Sequence, residues 1–128
     1  MHACKLSPAP IVKGDSFGEF QCPRNQYKID RMKAISYAST VGSLHYAQVC
    51  IRPDLAFVTG ILGRYQSNPG IEHWRMIKKA LRYVQSTKCL MLTYRRSDSL
   101  HIEGYSYSDF VGDVDERKST SGYVFTIA

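Results

Sequence analysis

Residues 72–84, EHWRMIKKALRYV, constrain the fold more than any other stretch of this chain. At about 100° per residue, Trp74, Ile77, Ala80, Leu81 and Val84 fall on one side of a helix. Arg75, Lys78, Lys79 and Arg82 fall on the opposite side, and no acid interrupts them. A helix of this kind must bury its apolar stripe against other elements while it presents a row of cations outward. The plain reading of that row is a solvated face that keeps the helix soluble. The sharper one is a contact to the phosphate backbone of a nucleic acid.

The packing partners lie upstream. In 35–50, ISYASTVGSLHYAQVC, the residues Tyr37, Val41, Leu44 and Gln48 follow helical spacing, with Ala34, Ala38 and Ala47 as helix formers. Gly42 costs about 1 kcal/mol in a helix interior, so it is expected to serve close packing against a neighbouring helix. Pro53 suits a first helical turn and Asp54 the positive end of a helix dipole, so Arg52-Pro53-Asp54 divides two helices. Leu55, Val58, Leu62 and Tyr65 form the next stripe, and Ser67-Asn68-Pro69-Gly70 stops it. Three helices of similar length with short joints pack as a small bundle.

After residue 89 the period changes. Leu90 to Tyr94, Ile102 to Phe110 and Gly122 to Ile127 read as short strands, with a polar loop over 111–121. Two or three uncovered strands are marginal in water, so the sheet reads as truncated. Residues 1–30 hold Pro8, Pro10, Gly14, Gly18 and Pro23 with neither a helical nor a strand period, which predicts an irregular, extended arm. The organisation is therefore an arm over 1–30, a helical segment over 31–89 and strands over 90–128. The fold class is α+β.

The net charge of +6 favours a polyanionic partner, and the excess is local. Between Arg64 and Arg96 the bases are Arg64, Arg75, Lys78, Lys79, Arg82, Lys88, Arg95 and Arg96, against Glu72 as the single acid. Cys4, Cys22, Cys50 and Cys89 contain no C-x-x-C pair and read as reduced thiols, with Cys50 expected to be buried. His2, His45, His73 and His101 are as dispersed, so no metal constellation is visible. No apolar stretch forms an export signal or approaches the ~20 residues of a membrane span, which predicts an intracellular protein with no membrane partner.

The strings YASTVGSLHYAQVCIRPDLAF, LGRYQSNPGIEHWRMIKKALRYVQSTK, MLTYRRSD and GYSYSDFVGDVDERKSTSGYVF closely resemble the Pol polyprotein of copia-type long-terminal-repeat retrotransposons. The region resembled is the end of reverse transcriptase running into the start of ribonuclease H. Lys13-Gly14-Asp15 and Gln21-Cys22-Pro23 also look like that family's linker, so the resemblance covers nearly the whole chain. It implies that the three helices are the polymerase thumb, which grips the primer–template duplex. The strands would be the first of a truncated antiparallel sheet of ribonuclease H type. Location in the cytoplasm or nucleus, and association with the remainder of Pol, are implied in the same way.

The resemblance also marks what the chain lacks. The parent family uses Mg2+, held by carboxylates. Its Tyr-x-Asp-Asp motif lies upstream of this segment, and no Asp-Asp pair occurs here. The ribonuclease H site needs about four carboxylates from separate elements. Tyr107, in Tyr105-Ser106-Tyr107-Ser108-Asp109, stands where the family usually has the first of them. A tyrosine hydroxyl is neutral at pH 7 (pKa ~10) and cannot replace a metal-binding carboxylate. Asp109 is the remaining acid on that strand face, and its plain reading is a strand-end acid facing solvent. Ser36 stands where relatives often have proline, and His45 where an apolar residue is common, which would weaken the bundle core.

The expectation is a fragment of a reverse transcriptase/ribonuclease H polyprotein, catalytically inactive alone and without a cofactor of its own. Its gripping surface would be Arg75, Lys78, Lys79 and Arg82, flanked by Arg64, Lys88, Arg95 and Arg96, on the backbone of a duplex or RNA–DNA hybrid. The alternatives are a stand-alone, non-specific nucleic-acid-binding module and an inert product of a decayed reading frame.

Overall fold

Three stretches of apolar periodicity and a short polar helix close on one another in the first of two compact units, Met1–Cys89; the second is Leu90–Ala128. The computed structural model describes residues 7–12, 14–91, 101–108, 113 and 115–127. In the first unit the helices are α1 (Gln26–Lys33), α2 (Tyr37–Cys50), α3 (Ala56–Arg64) and α4 (Ile71–Ser86), with 3-10 turns at Glu19–Gln21 and Pro53–Leu55. Pro53 opens the second of these turns, where its missing N–H leaves no helical bond unmade.

The core forms where the stripes meet. Tyr37, Val41 and Leu44 come from α2, Leu55, Val58 and Leu62 from the α3 segment, and Ile77 and Ala80 from α4. Leu55, Leu62 and Ile77 have no exposed surface, and each such side chain contributes about 1.5–3 kcal/mol of burial. Trp74, Leu81 and Val84 are half-buried against the same cluster. The Tyr37 hydroxyl crosses the core to donate to the Leu62 carbonyl at 2.9 Å. Burial pushes that phenol's pKa upward, so it stays a donor.

Several expectations are corrected here. The stretch assigned to a loose arm contains α1 from Gln26 onward, and much of it is packed: Gly18 and Pro23 are buried, and Ile11 and Phe17 lie against the core. Asn25 caps α1 by accepting from the Lys28 N–H at 3.0 Å. A Cβ at Gly42 would meet nothing within 4 Å, so that glycine serves no helix contact. Cys50 is exposed because α2 ends there with its last turn facing outward. His45 is exposed beside the buried Leu44, so it places no polar group in the core.

In the second unit β1 (Ile102–Ser108) pairs antiparallel with β2 (Ser121–Ile127), with Ile102 opposite Ile127 and Tyr107 opposite Gly122. Asp113 tightens the connection, its Oδ1 accepting from the N–H groups of Asp115 and Glu116 at 3.1 and 3.3 Å. Every residue of both strands is exposed. The strand expected over Leu90 to Tyr94 is not formed at Leu90 and Met91, and its remaining residues lie outside those described.

Candidate nucleic-acid interface

Helix α4 is fixed at both ends, and that sets the direction of its cations. At the start, the Gly70 N–H donates to His73 Nδ1 at 3.0 Å, so the imidazole does what Glu or Gln does in a capping box. The His73 ring is fully buried and stacks on Tyr65, with centroids 4.1 Å apart and planes 8° from parallel. The Gln21 backbone presses against Gly70, where a Cβ would stand 1.9 Å from the Gln21 carbonyl oxygen.

Near the other end, Arg52 makes a two-pronged bond to Asp54, at 3.0 and 2.8 Å, and a third to Thr87 at 2.7 Å. The Tyr83 hydroxyl donates to the same carboxylate at 2.7 Å, and the Arg52 guanidinium lies 5.3 Å over the Tyr83 ring. Asp54 is consequently held at a pKa of about 2, chiefly by its hydrogen bond from Arg52. The bond to Asp54 raises the Tyr83 and Arg52 pKa values in turn. Thus Asp54 serves a side-chain network as well as a helix start.

With both ends held, Arg75, Lys78, Lys79 and Arg82 line one groove of about 510 Å³, with Ser7 and Asp15 among its other walls. The N-terminal segment is tied along it: Ser86 Oγ donates to the Ser7 carbonyl at 2.9 Å, and Lys79 Nζ reaches Asp15 at 2.5 Å. Here too the sequence expectation is corrected. The basic face is not free of acids, because Asp15 arrives from 64 residues away and Glu72 pairs with Arg75 at 2.5 Å. The Lys79 and Asp15 side chains are only 21% and 13% exposed, which makes theirs the shielded pair, whereas Arg75 is 64% exposed. Lys78 is exposed and Arg82 half-buried, and neither makes an ion pair among the described residues.

The expected flanking bases are not all gathered there. Arg64 ends α3 and lines a different cavity, of about 320 Å³, with Arg24, Glu19 and Tyr65. Lys88 is exposed past the end of α4 and lines neither space. Arg95, Arg96 and Asp109 lie outside the described residues. Tyr107 sits exposed on β1. Among the described residues no three His, Cys, Asp or Glu side chains converge as a metal site.

Sequence reasoning missed Asp15, Gly70, His73 and the Arg52–Asp54–Tyr83–Thr87 network. The spacing Gly70-x-x-His73 was the one local signal, since it places a ring nitrogen three residues after an N-cap.

Comparison with known proteins follows the same length of chain. It is 43% identical over 128 residues to the retrovirus-related Pol polyprotein from transposon TNT 1-94 of Nicotiana tabacum, covering all of this chain and 10% of that protein. It is 35% identical over 88 residues to the retrovirus-related Pol polyprotein from transposon RE2 of Arabidopsis thaliana, covering 69% of this chain and 6% of that one. It is 44% identical over 96 residues to a protein named secreted RxLR effector protein 161 of Plasmopara viticola, covering 75% of this chain and 68% of that one. The chain thus spans a tenth or less of these two polyproteins and about two thirds of the shorter relative. No protein-family profile and no solved structure matches it.

Proposed function

The chain is homologous to a segment of copia-like, retrovirus-related transposon Pol polyproteins, and from that premise we propose that it is the segment where reverse transcriptase passes into ribonuclease H. Its first unit grips the backbone of an RNA–DNA hybrid or duplex without reading sequence. Alone, the chain binds and does not cut. The observation that carries this reading is the single groove that collects Arg75, Lys78, Lys79 and Arg82 from one helix face.

Phosphates recognise charge and spacing, so binding through such a groove is independent of base sequence. Each phosphate neutralised releases counterions, with a slope of about −0.9 per contact in log affinity against log salt. Lys78 and Arg82 are available at once, whereas Lys79 must first leave Asp15, and Arg75 must leave Glu72. A slope of about −2 to −4 is therefore expected.

The test is fluorescence anisotropy of a blunt RNA–DNA hybrid with the full chain across a salt series. Lys78→Glu combined with Arg82→Glu should lower affinity by about tenfold or more at low salt, with the circular dichroism melt unchanged. Affinity untouched by this double reversal would sink the reading. Magnesium-dependent hydrolysis of the hybrid by the purified chain would overturn its second half.

A second reading, a stand-alone binding module, draws on the Plasmopara viticola relative, in which this segment makes up 68% of a short protein. Both readings expect hybrid binding by the isolated chain; affinity that adjoining Pol sequence leaves unchanged supports the module, whereas affinity that rises when adjoining Pol sequence is present supports the fragment.

A further inference from the structure

A second groove, of about 490 Å³, opens beside the α4 groove. Its walls are the 3-10 turn with Phe20, the α1 residues Lys28 and Arg31, and the start of α4 at Ile71 and Glu72. Glu72 also lines the α4 groove, so the two spaces meet at that residue. Phe20 is 60% exposed, so its ring is open to a stacking partner. Lys28 makes no ion pair among the described residues, and the Arg31 guanidinium lies 6.0 Å over the exposed Tyr27 ring.

The acids nearby are already engaged. Asp30 accepts from Gln26 and Lys33, both at 2.9 Å, and Glu72 pairs with Arg75. The wall is firm, because Pro23 is buried and the Gln21 carbonyl abuts Gly70. An exposed ring in the same groove as two cations is a combination that holds unpaired nucleotides: the ring stacks on a base and the cations follow the backbone.

We infer that this second groove takes a single-stranded extension of the nucleic acid whose duplex lies along α4. The inference rests on the hybrid-binding reading for its first half, but the stacking site has its own residues and its own test. Phe20 stacks one base, Lys28 and Arg31 hold the flanking phosphates, and the Glu72–Arg75 pair lets the strand pass without meeting a bare carboxylate.

The experiment compares three probes against the full chain by anisotropy: a blunt RNA–DNA hybrid, the same hybrid with a single-stranded thymidine tail of about ten nucleotides, and the thymidine oligomer alone. The tail should raise affinity about fivefold or more, the worth of one stacked base. Phe20→Ala and, separately, Arg31→Glu should return the tailed probe to the blunt value while leaving blunt binding unchanged. A tail that adds nothing, or a gain that survives both substitutions, overturns the inference while leaving α4 binding intact. If the blunt hybrid fails to bind but the oligomer binds in a Phe20-dependent way, the α4 reading falls and the stacking site stands. If no probe binds, both fall.

Discussion

Gly70 shows how a residue chosen for one reason can be held by another. Its place after Ser67-Asn68-Pro69 reads as a helix stop, yet its φ of −94° is open to any residue. What excludes a side chain is the Gln21 carbonyl, 1.9 Å from where a Cβ would sit. Gly70→Ala should therefore cost about 1–3 kcal/mol in urea unfolding, as overpacking does, because backbone must move. The neighbouring ring, His73, is likewise a structural histidine; no local pattern could show that Tyr65 would lie flat against it. Ser36 is a simpler site. Its φ of −74° suits proline and its N–H makes no hydrogen bond among the described residues, so Ser36→Pro should add about 0.4–1 kcal/mol by restricting the unfolded chain. Asp54 carries the pH dependence. Its pKa falls from 3.8 in the unfolded chain to about 2 when Arg52 holds it. The stabilisation is complete above the unfolded value and is lost as pH falls from 3.8 through about 2. The carboxylate is 39% exposed, so water screens the pair and the contribution is about 1 kcal/mol. The stability gap between the wild type and Asp54→Asn should stay constant above about pH 5 and close toward pH 2, as read by chemical denaturation at each pH.

At the level of elements, legibility followed periodicity. The stripes at Tyr37, Val41 and Leu44 and at Leu55, Val58, Leu62 and Tyr65 turned inward because a helix with one apolar side has one place to put it. Helix α1 escaped detection because it buries only Met32; side-chain pairs one turn apart support it, with Gln26 and Lys33 on Asp30 and Arg31 over Tyr27. Which helical neighbours a face acquires is a long-range fact, and the α4 groove shows its consequence. The cations of that face were visible in the sequence, whereas the carboxylate of Asp15, tied to the Val12 N–H at 2.8 Å and to Lys79, was not. Asp15 holds Lys79 where, under the proposed binding, a phosphate would sit, so it would compete with nucleic acid inside the same groove. Asp15→Asn keeps an oxygen for the Val12 N–H and frees the ammonium. Hybrid affinity at low salt should rise about two- to fivefold, and the salt slope should steepen by about one contact. An unchanged slope would show that Lys79 does not face the phosphates.

Over the whole molecule the two units differ in what they own. Residues in Met1–Cys89 contain every apolar side chain that the described structure buries, with Leu55, Leu62, Ile77 and Ala80 wholly enclosed. The strands β1 and β2 bury none: Tyr105, Tyr107 and Val124 stand exposed, as do Ile102, Tyr123, Phe125 and Ile127. The register explains the distribution, since Tyr105 opposes Val124 while Ile102 opposes Ile127, and successive residues alternate between the faces of a pleated pair. An alternating pattern with one apolar face would have announced a sheet resting on a core. Here both faces carry rings and branched chains, and the sequence read as a truncated sheet because it offered only two or three strands with nothing to cover them. Two strands of this kind are marginal in water by themselves, whereas a helical unit with its own interior has the means to fold cooperatively. Residues 1–89 expressed alone should then show a single cooperative thermal transition by circular dichroism and should bind the blunt hybrid as the full chain does. Residues 90–128 alone should show no cooperative transition at all. The reverse result, a non-cooperative 1–89 or a sharply melting 90–128, would mean that burial within each unit does not set its stability, and the proposal that a self-supporting helical unit carries the nucleic-acid surface would fail with it.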